Sequence, residues 1–254
     1  MTGKLQNIIS KILPIMAILG LLLLWQLISV LGLVEAFLLP SPVQVFDALV
    51  SEFPILLEHT KITLTEAMLG LAIGVGLGFV VAVCMDWFTW VRLAFYPLMV
   101  LSQTVPTVAI APLLVLWFGY EMTPKIILIV LTTFFPIAVG LLSGFQSADP
   151  DAIRLLQSMG AGKVQIFFYI KLPGALKQFF SGLRISVSYA IVGAVISEWI
   201  GGFGGLGVYM TRVKQAFAFD KMFAVIFLIS FLSLVWIAGV DFLQKKCMPW
   251  EEKE

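Results

Sequence analysis

Six stretches of this chain, at about 12–33, 62–85, 93–118, 125–144, 183–200 and 222–241, are apolar for long enough to cross a bilayer. A hydrocarbon core takes about 20 predominantly apolar residues per helix. Inside it every backbone N–H and C=O must be satisfied within the segment, so runs of this length read as helices. With 60% of residues hydrophobic and 12% charged, the composition excludes a soluble domain. The expected fold is therefore an all-α polytopic membrane protein, six transmembrane helices in a single domain over residues 1–254. The first run is too long for a cleaved leader and lacks a small-x-small cleavage site, so it is read as a retained span.

An even number of spans puts both termini on one side. Eleven of the sixteen Lys and Arg residues then fall on the terminal side and five, Lys61, Lys125, Arg212, Lys214 and Lys221, on the other. The positive-inside bias places the termini and the long loop 145–182 in the cytoplasm, with the trio at 212, 214 and 221 running against it. The first external loop opens with Leu39-Pro40-Ser41-Pro42, which fixes an extended turn. Val43, Phe46, Leu49 and Val50 follow at helical spacing and predict a short helix on the membrane surface.

Small residues predict how the spans pack. Gly70, Gly74 and Gly78 recur at four-residue spacing in the second span, and Ala190 and Ala194 do so in the fifth. Such stripes let a neighbouring backbone approach closely, which drives helix association in lipid. Glu66 extends the first stripe and Glu198 the second. A carboxylate facing lipid costs about 3 kcal/mol even on lenient scales, so both belong on packing faces or beside a passage. In the third span, Ser102-Gln103-Thr104-Val105-Pro106 sets polar groups next to a helix-breaking proline. Gln103 and Thr104 are candidate pathway residues, unless the segment is simply a kinked packing helix. Gly201-Gly202-Phe203-Gly204-Gly205-Leu206-Gly207 lacks the strand and Lys-Ser/Thr of a phosphate cradle and reads as an external turn or gate.

The polar island Asp149–Pro173 stands apart. Asp149 caps a helix with Pro150 at its first position, and Ala152, Leu155, Leu156 and Met159 form an apolar face. Gly160-Ala161-Gly162 permits a reversal, and a second short helix with Ile166, Phe167 and Ile170 is expected to end at Leu172-Pro173. Two short amphipathic helices set at an angle make a knob for another protein's groove. A hairpin lying on lipid is the alternative.

Catalytic chemistry finds no support. Cys84 and Cys247 form no framework, and His59, the sole histidine, has no ligand cluster to join and reads as a solvated loop residue. Glu66 and Glu198 fall near opposite ends of their spans and give no reason to expect a dyad. A net charge of +1 offers no footing for nucleic acid.

From the Gly160 to Ile170-x-Leu172-Pro173 spacing, and from Leu39-Pro40-Ser41-Pro42, Ser102 to Pro106, Ala111-Pro112-Leu113, Trp117-Phe118-Gly119, Ser181 to Ile185, Ser197-Glu198 and Gly205-Leu206-Gly207, the chain resembles the permeases of binding-protein-dependent ATP-binding-cassette (ABC) importers of the nitrate/sulfonate/taurine type. Thr65-Glu66-Ala67, Cys84-Met85-Asp86 and Phe134 to Ile137 look like the branch that imports an aminopyrimidine precursor of thiamine. The resemblance implies a non-catalytic permease domain in a bacterial inner membrane. It implies no cofactor on this chain, with ATP hydrolysed by a cytoplasmic ATPase dimer, and an external binding protein and a second permease copy in a homodimer as further partners. Asp151, Leu155, Leu156, Met159, Gly160, Ala161, Ile170, Leu172 and Pro173 would form the ATPase-docking loop. One departure is plain: Arg154-Leu155-Leu156 stands where the family pattern has EAA, and Asp151 is the nearest acidic replacement. An ATP-independent channel or carrier, which needs no docking loop, and a membrane-embedded enzyme are the competing classes.

Overall fold

A computed structural model describes residues 2–35 and 37–249; within the first helix, side chains are described at 12, 13 and from 16 onward. The elements are α1 Thr2–Val30, α2 Pro42–Ser51, α3 Phe53–Trp87, α4 Thr89–Thr104, α5 Thr107–Phe118, α6 Met122–Gln146, α7 Pro150–Ser158, α8 Lys163–Ile166, a π turn Phe167–Lys171, α9 Leu172–Ile200, α10 Leu206–Gln215 and α11 Phe219–Cys247. Among the described residues four helices are long and apolar enough to cross a membrane: α3, α6, the continuous run Lys163–Ile200, and α11. The α4–α5 pair makes a fifth if it counts as one span.

That pair departs from the continuous third span expected at 93–118. The two helices meet at 98°. Pro106 supplies the reason: it has no N–H to carry the ladder and pushes Val105 into extended backbone, at φ −83° and ψ 122°. Pro97 and Pro112, by contrast, sit inside their helices without breaking them.

Two compact units can be distinguished among the described residues, 2–57 with 209–228, and 58–208 with 229–249. In the first, the short helix expected after Leu39-Pro40-Ser41-Pro42 is present as α2. Ser41 and Gln44 close a capping box, with Gln44 N donating to Ser41 Oγ at 3.3 Å and Ser41 N donating to Gln44 Oε1 at 2.8 Å. Val45 and Ala48 of α2 pack with Ala224, and Trp25 stacks on Phe227 at 5.7 Å. Lys221 also donates to Glu52.

The second unit is built on α3, α6 and α9. The glycine stripe of α3 faces α6: a Cβ on Gly70 would meet Ile129 Cγ2 at 2.5 Å, and one on Gly74 would meet Thr133 Oγ1 at 2.2 Å. A Cβ on Gly78 would fall 2.9 Å from Ile137. Ala190 and Ala194 of α9 are fully buried against Ala67 and Ile129. Ser186 Oγ donates to Thr133 O at 2.7 Å, joining α9 to α6 without exposing a polar group to lipid. The outward faces, such as Leu69, Ile73, Leu77 and Val80 on α3, are exposed and apolar.

Two expectations about the polar island need correction. The second short helix does not end at Leu172-Pro173, and the fifth span does not begin at 183. α8 covers four residues, the π turn follows, and α9 starts at Leu172. Pro173 lies in the first turn of α9, directly after the π turn of the same continuous run. Leu172 N donates five residues back to Phe167 O, so the wider π turn carries the ladder past the proline. The polar segment proper is therefore 147–162.

Candidate functional site

At one end of the α3–α6–α9 bundle lies a cluster of buried ionisable groups. Lys125 Nζ donates to Glu66 Oε1 at 2.5 Å, with the two residues 4% and 2% exposed. Glu198, also 2% exposed, accepts from Thr63 Oγ1 at 2.7 Å and from Gly207 N at 2.6 Å. Leu206 N donates to Thr63 Oγ1 at 2.9 Å, and Gly205 N donates to His59 Nδ1 at 3.0 Å. Glu66 and Glu198 are therefore not remote from each other, as their sequence positions suggested. Thr63 near the start of α3 meets Glu198 near the end of α9, whereas Asp86 at the end of α3 meets Lys171 just before α9. The two helices run antiparallel, so the beginning of one and the end of the other share a side.

The glycine-rich hairpin 201–207 takes its composition from this cluster. Gly205 has φ +114°, and a Cβ there would lie 2.2 Å from Glu198 Cδ. One on Gly207 would meet Val195 O at 2.3 Å. The missing side chains leave room for the carboxylate, and the Gly207 amide then donates to it. His59 is correspondingly no solvated loop residue: it is helical, within α3, and accepts from the hairpin. Lys125 and Thr63 were not anticipated as partners of the two glutamates, nor His59 as a partner of Gly205. The available signal was Lys125 itself, which with Lys61 and Lys221 flanks an apolar run on the side poor in positive charge.

A groove of about 460 Å³ runs between α4 and the α6–α9 pair. Gln103, Phe135, Pro136, Gln178, Ser181 and Tyr189 line it, and none of its lining residues is charged. Of the four candidate pathway residues, only Gln103 reaches it. Thr104 Oγ1 is exposed and donates to Leu101 O at 2.8 Å at the end of its own helix, while Glu66 and Glu198 are enclosed in the cluster.

At the opposite end of α3, the segment 147–162 carries α7. Asp149 caps it, accepting from Asp151 N at 2.9 Å, and Asp151 pairs with Arg154 at 3.3 Å in full exposure. No residue of α7 is buried. Leu155 and Met159 are 63% and 74% exposed, Leu156 is half-buried, and Gly160, at φ +84°, turns the chain away towards half-buried Ala161. Ile170, Leu172 and Pro173 are half-buried and belong to the π turn and the foot of α9 rather than to the exposed face. Lys171 Nζ reaches both oxygens of Asp86 at 2.8 Å, and Phe167 packs edge-on to Trp87 at 6.1 Å and against Phe145 at 5.2 Å.

Among known proteins, residues 74–248 match the family described as binding-protein-dependent transport system inner membrane component. The chain is 37% identical over 242 residues to the formylaminopyrimidine transport permease protein ThiX of Halalkalibacterium halodurans, covering 95% of this chain and 96% of the relative. It is 33% identical over 237 residues to the taurine transport system permease protein TauC of Escherichia coli, covering 91% and 86%. A chain from a bacterial ABC transporter involved in the import of the acidic polysaccharide alginate superposes with a TM-score of 0.66 at 18% identity, over 96% of this chain and 99% of that one. A chain from an amino acid ABC transporter gives a TM-score of 0.61 at 18% identity, over 77% and 94%. At such identities the likeness is one of fold.

Proposed function

The chain belongs to the binding-protein-dependent transport system inner membrane component family, and from that membership we propose that its α4–α6–α9 groove is the wall of a passage for a small uncharged heteroaromatic solute, an aminopyrimidine precursor of thiamine being the favoured cargo. The chain is a non-catalytic permease subunit of an ABC importer, a class that works with an ATPase and a binding protein. The observation that carries the cargo reading is the groove itself. Its lining offers amides, a hydroxyl and the rings of Phe135 and Tyr189, and no cation. An anion leaving water would find no compensating charge there, whereas an aminopyrimidine can stack and exchange neutral hydrogen bonds. The 37% identity to a formylaminopyrimidine permease supports the same cargo.

A second reading, import of taurine, sulfonate or nitrate-like anions, rests on the 33% identity to a taurine permease. The two are separated by uptake into proteoliposomes holding the permease, its ATPase and its binding protein. Labelled formylaminopyrimidine accumulates with ATP and is not displaced by excess taurine; accumulation of taurine instead refutes the neutral-cargo reading.

The proposal extends to the assembly. Six spans, with α1 and the bent α4–α5 pair each counted as one, form a single permease domain with both termini in the cytoplasm of a bacterial inner membrane. Two copies face one another. The outer side of α7, with exposed Asp151 and Leu155 and half-buried Leu156, docks into the ATPase together with exposed Met159 just beyond it, and the turn Gly160-Ala161 sets its angle. Ile170, Leu172 and Pro173 support the loop from beneath. A helix with no fully buried residue, presenting Leu155 and Met159 to the outside, is what a helix-in-groove contact requires.

A further inference from the structure

α3 is fastened to its neighbours at both ends. At one end, Thr63 hydrogen-bonds Glu198 of α9 and Glu66 pairs with Lys125 of α6. Twenty residues on, about 30 Å along the helix, Asp86 holds Lys171 through both carboxylate oxygens. Beside that pair, Phe167 is buried between Trp87 and Phe145, so the π turn is gripped by α3 and α6 together. Between these fastenings the glycine stripe of α3 lies in direct contact with α6. The three helices thus have no loose end at which one could slide past another.

α7 contrasts with this block. None of its residues is fully buried, and a cavity of about 370 Å³ lies between Ile153 and Gln157 of α7 and Asp86 and Trp87. A force applied to α7 reaches the spans at two places: through the short link 147–149 to the end of α6, and through the chain turning at Gly160 into the gripped π turn that leads to α9. The other wall of the groove is different again: Gln103 lies at the end of α4, beside the 98° break, and Thr104 is bonded only within its own helix.

We infer that Asp86 and Lys171, with Phe167 seated between Trp87 and Phe145, form the clasp that delivers movement of the docking segment to α3, α6 and α9 as one rigid body, changing the width of the groove at Gln103. Asp86 and Lys171 are positioning residues: they touch neither solute nor ATPase. Without the charge pair, α9 can be pushed by α7 while α3 stays behind, and the stroke is lost between the two helices.

The inference rests on the docking reading proposed above, and the test separates the two. The full importer is purified with its ATPase and binding protein, from a chain carrying C84S, C247S and Q103C. The reaction rate of the thiol with a water-soluble maleimide is measured with and without ATP and vanadate. In the parent chain the rate changes several-fold on trapping. In D86N and in K171Q the ATPase still co-purifies and hydrolyses ATP, but the change disappears; the exchanged pair D86K/K171D restores it. Full ATP-dependent change in D86N and K171Q overturns the inference, as does a parent chain whose rate does not respond at all, or a D86K/K171D chain that behaves like the single variants. Loss of ATPase co-purification in D86N also overturns it, because the residue would then serve docking. The docking reading fails by a different result: co-purification that survives L155D/M159D.

Discussion

Removing the Lys125 ammonium tests the buried cluster most directly. Lys125→Met keeps the length and apolar character of the side chain and deletes one charge. Glu66 is then left 2% exposed and without the donor now 2.5 Å from its Oε1, next to the buried carboxyl group of Glu198. Solvent screening cannot relieve this, because neither partner reaches water to a useful extent. Breaking a buried pair from one side costs about 3–5 kcal/mol, whereas replacing both partners by packed neutral groups is close to neutral. The corresponding double variant, Glu66→Gln with Lys125→Met, is therefore expected to recover most of the loss, with a coupling of about 2–3 kcal/mol. The assay is reversible unfolding in mixed detergent and SDS micelles followed by tryptophan fluorescence, applied to the four corners of the cycle. A Lys125→Met variant within about 0.5 kcal/mol of the parent, the range of an ordinary surface substitution, would refute the reasoning. Losses that simply add in the double variant would refute it too.

Two other outcomes follow from the packing. Gly74→Leu puts its Cβ 2.2 Å from Thr133 Oγ1 and should cost about 1–3 kcal/mol or prevent folding, whereas Gly76→Leu, with nothing within 4 Å, should leave the same unfolding curve unchanged. Leu155→Asp with Met159→Asp should abolish co-purification of the ATPase while shifting stability by less than about 0.5 kcal/mol, since α7 contributes no buried residue to this chain.

Periodicity and composition carried the helices a long way. The all-helical character, the short helix after Leu39-Pro40-Ser41-Pro42, and the capped start of α7 at Asp149-Pro150 were readable because each has a local cause: apolar length, a capping box, a proline at the first turn. Gly70, Gly74 and Gly78 lie close against α6, a neighbour that their spacing alone did not name. What could not be read depends on residues far apart in sequence. Nothing local says that Glu198 will be satisfied by Thr63 and Gly207, or that the glycines of 201–207 make room for a carboxylate rather than give freedom to a gate. The continuation of α8 into α9 was missed because Leu172-Pro173 was read as a stop, although proline in a first helical turn is equally a start. Likewise the break at Val105-Pro106 was expected only as a kink; its angle depends on where α4 and α5 find packing, not on the proline alone.

The bareness of α7 bears on how importers of this kind diversify. A helix that shares no core with its own chain can change residue by residue without weakening the spans above it. On the docking reading, Arg154-Leu155-Leu156 in place of the family's Glu-Ala-Ala is therefore a matter between this chain and its ATPase and no tax on its own folding. On the docking reading proposed above, the nine residues of α7 would act as an address label, and transplanting them onto a related permease should redirect that permease to a new motor while its solute passage stays as it was.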